Sequence, residues 1–496
     1  MLPVLIVGAG PVGLFSAWLL SEQGIEFRMI DPSSEPSHTS KALAVHSRTL
    51  EMMASLGIVD HFVSQGNHLD GVCIYNQKAK RLVTAALSLG SDLPYPMTLA
   101  LPQSETEGIL IHLLEKKGIF VERGIRFSHC QESGDHLDVE LLNAQEQVET
   151  LQVKYLLGCD GYHSQAREEM KVPYEGTDMA LRFLMMDGQI QWPFDRSHIH
   201  VLYHHLGTCA SFPMKNFDRI IIEVANDPTV PKDEEAMPEQ IKHLMKDRWG
   251  VEIEISDVQW LSHFYVHERL AKHYRHNRVL LLGDAAHVHS PAGGQGMNTG
   301  LQDAYNLIWK LAFVIRGNTN SDLLDSYEQE RRPVAKAVLA SSTQLTKLAM
   351  LRSPLLCCLR DFFVKHVLKA KALQRKFVMQ LSGVGIHYRN SSLVRHHVKA
   401  KYQSGDRAPT VLPGYQFTLL ICERCSGKSA IQAWAEQLPL KIKVNVVPCG
   451  SALCKMYDLQ NKFCLVRPDQ YIAVYGDKQQ ELKVYFSEAV DYIELS

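Results

Sequence analysis

Apolar and polar positions in the first thirty residues follow a strand pattern, then a helix pattern, then a strand pattern again. Residues 2–7 are an unbroken apolar run, typical of a strand buried on both faces of a parallel sheet. A glycine-rich turn at 8–13 follows, and apolar positions at helical spacing predict a helix over 14–23. A second apolar run, 25–30, ends at Asp31. This order predicts one parallel α/β unit.

An apolar strand that ends in a turn with glycine and aspartate recurs twice farther along the chain. Residues 153–157 lead into GCDG at 158–161, and 278–282 lead into GD at 283–284. A glycine-rich segment, 291–300, then precedes a helix whose apolar residues lie on one face. Parallel strands place such turns at one edge of a sheet, so we expect the three turns to converge.

The first turn has the spacing of a dinucleotide-binding fingerprint. Gly8 permits the tight turn, Gly10 lets a pyrophosphate approach the backbone, and Gly13 lets helix and strand pack closely. The N-terminus of the following helix offers free N–H groups and a partial positive charge to the phosphates. Asp31, about 20 residues past the glycines, is placed to accept the hydroxyls of an adenosine ribose. The fingerprint by itself fits FAD and NAD equally.

Composition narrows the class of protein. The 496 residues are 46% hydrophobic and 21% charged, with a net charge of −2, so no basic excess favours nucleic-acid binding. No apolar run reaches the roughly 18 residues of a transmembrane helix, and the N-terminus does not resemble a signal peptide. The eleven cysteines are scattered, which is typical of reduced thiols. We therefore expect a soluble cytoplasmic protein without nucleic-acid partners.

The combination and order of these motifs identify a family. GAGPVG at 8–13, GCDGYHS at 158–164 and GDAAHVHSPAGGQGMNTGLQDAYNLIWKLA at 283–312 closely resemble the class A flavin monooxygenases, aromatic hydroxylases with the p-hydroxybenzoate hydroxylase fold. The resemblance includes further segments and spans nearly the whole chain. Those segments are 41–51, 101–113, 405–409 and 467–469.

The resemblance implies an α/β fold with three parts. These are a Rossmann-like FAD-binding domain, an inserted β-sheet domain that encloses the substrate, and a small thioredoxin-like C-terminal domain. The implied boundaries are 1–70, 96–175 and 268–335 for the FAD-binding domain, 71–95 and 176–267 for the substrate domain, 336–404 for a helical segment, and 405–496 for the C-terminal domain.

The resemblance also assigns residues to the cofactor. Arg48 and Gln103 would lie along the FAD phosphates and ribityl chain, Asp284 would bind the ribityl chain, and Asp160 would lie near both FAD and the nicotinamide. Pro291 and the backbone of residues 294–298 would line the isoalloxazine ring. The implied cofactor-binding residues are Gly8, Gly10, Pro11, Val12, Gly13, Asp31, Lys41, Arg48, Gln103, Asp160, Gly283, Asp284, Pro291, Gly294, Gly296, Met297 and Asn298.

One position departs from the family pattern. Lys41 stands where an arginine is common, and lysine keeps the charge but lacks the planar fork for stacking or bidentate contacts. Nicotinamide handling at this position therefore stays open. No metal site is predicted, because His287 and His289, two residues apart on a loop, are insufficient as ligands. No residue is predicted as a catalytic nucleophile.

The function implied by the resemblance is hydroxylation of an aromatic, phenolic or polyketide-like small molecule. NADH or NADPH would reduce FAD, and O2 would then give a flavin C4a-hydroperoxide as the hydroxylating species. Two alternatives remain open: an FAD oxidoreductase of another type, such as a tailoring enzyme or reductase, and a flavin-binding protein without catalysis. A homodimer also stays open.

Several further expectations concern local features. Ser104 to Glu107 predicts a capping box that opens a helix to Lys117. The basic helical segment from Pro333 onward is expected to pack on its own protein or on a second subunit rather than on a membrane. Cys422 and Cys425 are expected to be unrelated thiols. Candidates for the substrate lining, each more often a core residue, are Tyr203, His204, Phe212 and Met214.

Overall fold

The computed structural model describes residues 1–37, 42–90, 93–224, 230, 237–368, 370–395, 400–438 and 440–491. The strands of this described part are β1 (Leu2–Val7), β2 (Phe27–Asp31), β3 (Ala44–Val45), β4 (Asn67–Leu69), β5 (Gly71–Tyr75), β6 (Arg81–Ala86), β7 (Thr98–Ala100), β8 (Glu122–Arg123), β9 (Ile125–Ser133), β10 (His136–Asn143), β11 (Val148–Gly158), β12 (Tyr174–Gln191), β13 (His198–Leu202), β14 (Cys209–Pro213), β15 (Asp218–Glu223), β16 (Glu254–Ala271), β17 (Arg275–His276), β18 (Val279–Leu281), β19 (His287–Val288), β20 (Phe417–Cys422), β21 (Ile442–Val447), β22 (Phe463–Val466) and β23 (Ile472–Gly476).

The helices are distributed between and after these strands. They are α1 (Pro11–Glu22), α2 (Ser47–Ser55), α3 (Val59–Gln65), α4 (Gln103–Glu115), α5 (Gln165–Glu169), α6 (Met237–Trp249), α7 (Gly296–Ile315), α8 (Asp325–Ala349), α9 (Pro354–Val367), α10 (Lys371–Leu381), α11 (Lys428–Gln437), α12 (Ala452–Met456) and α13 (Gln479–Val484), with short helical turns at Gly283–Ala285, Ser321–Leu324 and Tyr485–Ala489.

The first sheet places the three predicted turns side by side. Its order is β17-β18-β11-β1-β2-β8, and β10 and β9 extend it from β11. Val7 at the end of β1 pairs with Gly158 on one side and Ile30 on the other, and Gly158 is in turn aligned with Leu281. Because these four strands are parallel, their carboxyl ends form one continuous edge. Val4, Leu5 and Ile6 of β1 are fully buried, as the apolar run predicts for a central strand of a parallel sheet.

The second sheet is mainly antiparallel and has two different faces. Its order is β19-β16-β12-β15-β14-β13-β5-β6. Alternate residues such as Leu184 and Ile222 are fully buried in a cluster with Ile241 of α6, which covers one face. Residues of opposite parity, among them Ile199 and Ile221, are only half-buried. The sheet therefore has one covered face and one apolar face that is partly open.

The last four strands form a separate sheet with the order β21-β20-β22-β23. β20 is parallel to β21, whereas β22 is antiparallel to β20 and β23. With the interspersed helices α11, α12 and α13, this is the strand and helix order of a thioredoxin-like domain. The predicted fold class is confirmed.

Some predicted element boundaries differ from the structure. Helix α1 begins at Pro11, earlier than predicted, because proline is well suited to the first helical position. Helix α4 begins at Gln103 without the predicted capping box; the Gln103 Nε2 donates to Glu107 at 2.8 Å, and no side chain caps the helix. Helix α8 continues through Pro333, with the buried residues Arg331 and Ala335 packed on either side of it.

Candidate active site

The first two glycine turns are in direct contact at the carboxyl edge of the first sheet. Gly8 has a φ of +100°, and a Cβ there would overlap the carbonyl oxygen of Cys159 in the second turn. A Cβ on Gly13 would overlap the carbonyl oxygen of Gly8. Gly10 differs, because a Cβ there would meet no described atom within 4 Å. Gly8 and Gly13 therefore serve packing, and Gly10 leaves the backbone open to a bound group.

The third glycine turn packs against α1, the helix that follows the first glycine turn. A Cβ on Gly283 would lie 2.9 Å from the Val12 Cγ2, and a Cβ on Gly300 would lie 2.6 Å from the same atom. Val12 thus fills the space between α1, α7 and the third turn. The convergence predicted from the sequence is present in the structure.

The three acidic residues of these turns have different environments. The Asp31 Oδ2 accepts a hydrogen bond from the backbone N–H of Ala9 at 2.8 Å, which fixes the carboxylate beside the first turn. The Asp160 Oδ2 accepts from the backbone N–H of Ala166 at 3.0 Å, so this residue also serves as a helix cap, and burial raises its pKa. Asp284 is exposed at the same edge.

The loop before α7 is held to β3 by one side chain. The Asn298 Oδ1 accepts from the backbone N–H of His46 at 2.9 Å and from Thr49 at 2.8 Å. The Asn298 Nδ2 donates to the carbonyls of Ala44 and Gly294 at 2.8 and 2.9 Å. The side chain is therefore used in structure, and only the Asn298 backbone is available to a cofactor.

His46 completes the same connection. Its Nδ1 lies 3.2 Å from the Thr98 hydroxyl, and its Nε2 lies 3.0 Å from the carbonyl oxygen of Gly293. Burial lowers the pKa of His46. A neutral imidazole thus joins the glycine loop to β7.

The residues at this edge fit FAD. Helices α1 and α7 both begin here, and their first turns, which lie within the described residues, contain no acid. Two helix N-termini favour an anion such as a pyrophosphate or a reduced flavin ring. Buried polar atoms at the same edge, Asp160 Oδ1, His289 Nε2 and Gln295 Oε1, have no hydrogen-bond partner in the described part of the chain.

Asp303 is a central residue of the site that the sequence did not single out. Its Oδ2 lies 2.7 Å from the His287 Nε2 and accepts from the backbone N–H of Gly283 at 3.3 Å. Its Oδ1 accepts from the Arg331 Nε at 2.7 Å, and Arg331 also donates to the carbonyl of Thr299 at 3.1 Å. Burial would raise the pKa of Asp303, but Arg331 and His287 outweigh it and hold the pKa below its usual value.

Arg167 joins the second turn to the third. Its Nη1 donates to the carbonyl of Ala285 at 3.1 Å, and its Nη2 donates to the carbonyl of Tyr162 at 2.9 Å. The guanidinium lies 3.9 Å from the ring centre of Tyr174. The sequence alone did not distinguish this buried clamp from a surface charge.

Arg48 contacts its own helix and the C-terminal domain. Its Nη1 donates to Glu51 at 3.1 Å, and its Nη2 donates to the backbone carbonyl of Asp469 at 2.7 Å. The guanidinium also lies 5.0 Å from the ring centre of Tyr471. The buried Arg48 Nε has no hydrogen-bond partner among the described residues, and the expected contact with the FAD phosphates stays a prediction. Lys41 lies outside the described residues.

A buried ionic cluster connects the FAD-binding part to the C-terminal domain. The Glu330 carboxylate accepts from Arg467 at 2.6 Å and from Lys310 at 2.8 Å, and Arg467 also contacts Asp469 at 2.5 Å. Burial lowers the pKa of Lys310 to about 8. Arg407 contributes a 2.9 Å bond to Glu51 from the segment 405–409. The two late motifs of the resemblance therefore anchor the domain rather than line the cofactor edge.

The half-buried face of the second sheet packs against the segment next to the glycine loop. Val72, Ile199, Phe212 and Ile221 pack partly against an apolar cluster that includes Leu43, from the segment next to the glycine loop. The remaining substrate candidates are less accessible. Met214 is buried in that cluster, His204 is buried with a pKa lowered to about 4 by burial, and Tyr203 stacks under Arg360.

Three further observations concern the C-terminal cysteines, groups of metal-ligating side chains and membrane-spanning helices. The Cys425 Sγ points to the carbonyl of Asp477 at 3.6 Å, and the buried Cys422 ends strand β20. Among the described residues, no three His, Cys, Asp or Glu side chains are grouped in a way that could hold a metal. No candidate for a membrane-spanning helix occurs in the same residues.

Comparison with known proteins gives consistent similarities. The family model described as "FAD binding domain" matches residues 1–342. The 6-methylpretetramide 4-monooxygenase of Streptomyces rimosus is 34% identical over 418 residues, covering 83% of this chain and 73% of that protein. A flavin-dependent monooxygenase of Mycobacteroides abscessus is 31% identical over 512 residues, covering 98% and 100%. The solved structure of the OxyS anhydrotetracycline hydroxylase from Streptomyces rimosus has a TM-score of 0.79 at 27% identity, with 98% of each chain covered.

Proposed function

The chain belongs to the class A flavin monooxygenases, and we propose that it hydroxylates an apolar aromatic or polyketide-like molecule. This molecule would lie between the carboxyl edge of the first sheet, where FAD would bind, and the half-buried face of the second sheet. It is an FAD-dependent enzyme that uses a reduced nicotinamide and O2. The observation that carries the proposal is the convergence of three glycine turns and two helix N-termini at one sheet edge, with an apolar face beside it.

The bound FAD would supply the redox chemistry, taking a hydride from the nicotinamide and activating O2. The protein's own residues position and polarise it. The open backbone at Gly10 and the N-terminus of α1 are placed for the pyrophosphate, and Asp31 for the ribose hydroxyls. The N-terminus of α7 offers backbone N–H groups to the negative charge of a reduced ring.

The proposed cofactor set is the set implied by the resemblance, and it includes Arg48. Lys41 is kept on the resemblance alone. The other members are Gly8, Gly10, Pro11, Val12, Gly13, Asp31, Gln103, Asp160, Gly283, Asp284, Pro291, Gly294, Gly296, Met297 and Asn298. The predicted domain boundaries are likewise kept as a proposal, supported by the way β5 and β6 join the sheet formed by β12–β16.

The apolar sheet face supports a mainly apolar substrate. Ile199, Phe212 and Ile221 offer hydrocarbon surface that favours a ring system over a charged acid. The same surface keeps water from the reacting atoms, which matters because water favours release of H2O2 over hydroxylation. A polycyclic phenol fits this chemistry better than a small hydrophilic one.

The monooxygenase relatives give no support to a reductase or to a flavin-binding protein without turnover. We further propose that the protein acts in the cytoplasm, since all eleven cysteines are unpaired. Neither of these points depends on the identity of the substrate.

The experiment measures NADH and NADPH oxidation by the purified holoenzyme, with and without a panel of phenols and polycyclic aromatics, and identifies products by mass spectrometry. We expect substrate-stimulated oxidation and an oxygenated product. Phe212→Ala should release at least several-fold more H2O2 per nicotinamide oxidised, whereas Phe120→Ala, an exposed phenylalanine far from the face, should not. A flavin-loaded protein that never oxidises nicotinamide would contradict the proposal.

A further inference from the structure

Helix α9 exposes a continuous row of large apolar side chains. Leu355 is 71% exposed, Leu359 57%, Phe362 65% and Phe363 55%. At 3.6 residues per turn these positions lie on one side of the helix. Exposed leucine is common singly, but a row with two adjacent phenylalanines is an unusual surface for a monomeric protein. We call this row the α9 surface.

The opposite side of α9 accounts for its attachment to the fold. Val364 packs with Ile74 and Val83 of the second sheet, and Cys357 is buried. Arg360 is buried too, with its guanidinium 4.7 Å from the ring centre of Tyr203. Packing of this inner side holds α9 against the rest of the protein, so the exposed phenylalanines contribute little to the stability of the fold.

The charge around the α9 surface is strongly one-sided. Residues 347–376 contain eight lysine or arginine residues and one acid, Asp361, although the whole chain has a net charge of −2. Asp361 pairs with Arg360 at 2.9 Å, and Glu223 of β15 pairs with Arg352 at 2.6 Å, so these two arginines do not add to the excess of positive charge. Exposed lysines among the described residues of this stretch include Lys347, Lys365, Lys371 and Lys376.

In contrast to the expectation from the sequence that this segment packs on protein alone, we propose that the α9 surface and its basic surroundings dock on an anionic phospholipid surface. Leucine and phenylalanine side chains enter the boundary between headgroups and acyl chains, while lysine and arginine pair with anionic headgroups. A second copy of the chain is a poorer occupant, because symmetric contact at this surface would bring the two basic clusters together. The inference is of a peripheral contact, with the helix lying on the bilayer.

The position of α9 relates this contact to the proposed substrate. The cluster that holds Val364 shares Val72 with the half-buried sheet face next to Ile199 and Phe212. A hydrophobic substrate dissolved in the bilayer would therefore meet the sheet face beneath α9. This step rests on the proposed function, whereas docking on the lipid does not.

The test is flotation of the FAD-loaded enzyme with vesicles of phosphatidylcholine alone or with about 30% phosphatidylglycerol. We expect binding to the anionic vesicles that weakens as salt is raised. Phe362→Ser with Phe363→Ser should reduce this binding at least tenfold. The matched control is Phe120→Ser, because Phe120 is 66% exposed on another part of the protein. Circular dichroism and flavin content, which should not change, check that each variant is folded.

A charge variant provides an independent arm. Lys365→Gln with Lys371→Gln should weaken binding to anionic vesicles and flatten its salt dependence while leaving the apolar row intact. Equal binding by the wild type, the double-serine variant and the control would overturn the proposal. So would a concentration-dependent dimer in sedimentation experiments that the double-serine variant abolishes, with no vesicle binding. Flotation measures vesicle binding without any catalytic turnover. A loss of vesicle binding can therefore be distinguished from a loss of hydroxylase activity.

Discussion

The His287 Nε2 and the Asp303 Oδ2 lie 2.7 Å apart, and both side chains are almost completely buried. The other oxygen of Asp303 accepts from Arg331. Through this carboxylate, the third glycine turn is fixed to α7 and α8. The start of α7 is thereby held at the carboxyl edge of the first sheet, where FAD is proposed to bind.

Replacing Asp303 with asparagine should strongly destabilise the protein. The substitution leaves the buried Arg331 without its counter-charge, and breaking a buried pair in this way costs about 3–5 kcal/mol. Urea unfolding at pH 7.5 measures the loss, and flavin content of the purified protein should fall with it. Asp135→Asn, a change to an exposed carboxylate, should leave both quantities as in the wild type. An Asp303→Asn protein of unchanged stability would show that the contact is not needed.

Two glycines of the first turn should respond differently to a single methyl group. Gly13→Ala forces an overlap with Gly8 and should reduce both folding stability and FAD binding. Gly10→Ala meets no described atom, so the apoprotein should unfold as the wild type does while its FAD dissociation constant rises at least tenfold. Fluorescence titration of the apoprotein measures the affinity.

Gly108→Ala is the control for these glycine variants. Gly108 lies within α4, and a Cβ there would meet no described atom within 4 Å beyond the helix's own backbone. Alanine in a helix should stabilise the protein by about 0.5–1 kcal/mol. If Gly10→Ala binds FAD as tightly as the Gly108→Ala protein, the pyrophosphate does not approach residue 10.

Substitution of Arg167 should loosen the contact between the second and third turns. Arg167→Met leaves the carbonyls of Ala285 and Tyr162 without their donor, at a cost of about 1–3 kcal/mol for each unsatisfied buried group. Arg167→Lys can restore one of the two bonds and should lie between Met and wild type in stability and FAD affinity. The reference is Arg126→Met, which breaks only the exposed pair with Glu146. Similar losses in Arg167→Met and Arg126→Met would argue against the clamp.

The stability of the protein should fall in mild acid through His289. Burial lowers the pKa of this imidazole to about 4 from 6.5. Between these values the unfolded chain binds more protons than the folded one, so stability decreases as pH falls from 6.5 toward 4. From pH 7.5 to 5.5 the wild type should lose about 1.4 kcal/mol more than His289→Gln.

Urea unfolding of the two proteins at both pH values checks this difference. Glutamine keeps a polar side chain of similar reach but does not titrate, so all other groups cancel in the comparison. Unfolding free energies that run parallel for the two proteins would show that His289 does not have a depressed pKa in the folded state.

The local patterns were sufficient for the first sheet and its turns. Gly13 and Asp31 contact Gly8 and Ala9 of the same turn, whereas Gly8 packs against Cys159 of the second turn and β1 pairs with β11. The parallel arrangement of the strands is what places these turns at one edge. The second sheet and the C-terminal domain were expected only because the order of the motifs resembles that of the class A flavin monooxygenases. Periodicity was less precise at helix ends: α1 begins at Pro11 and α8 passes through Pro333.

What the sequence by itself determined was the backbone of the cofactor edge, because glycine conformation, strand burial and helix N-termini are properties of short segments. The tertiary structure decided where the buried charges point. Arg48 meets Asp469, which is 421 positions away, and Asp303 meets Arg331, 28 positions away. A guanidinium or carboxylate takes its partner from whatever the folded chain brings within about 3 Å, and no local pattern contains that information.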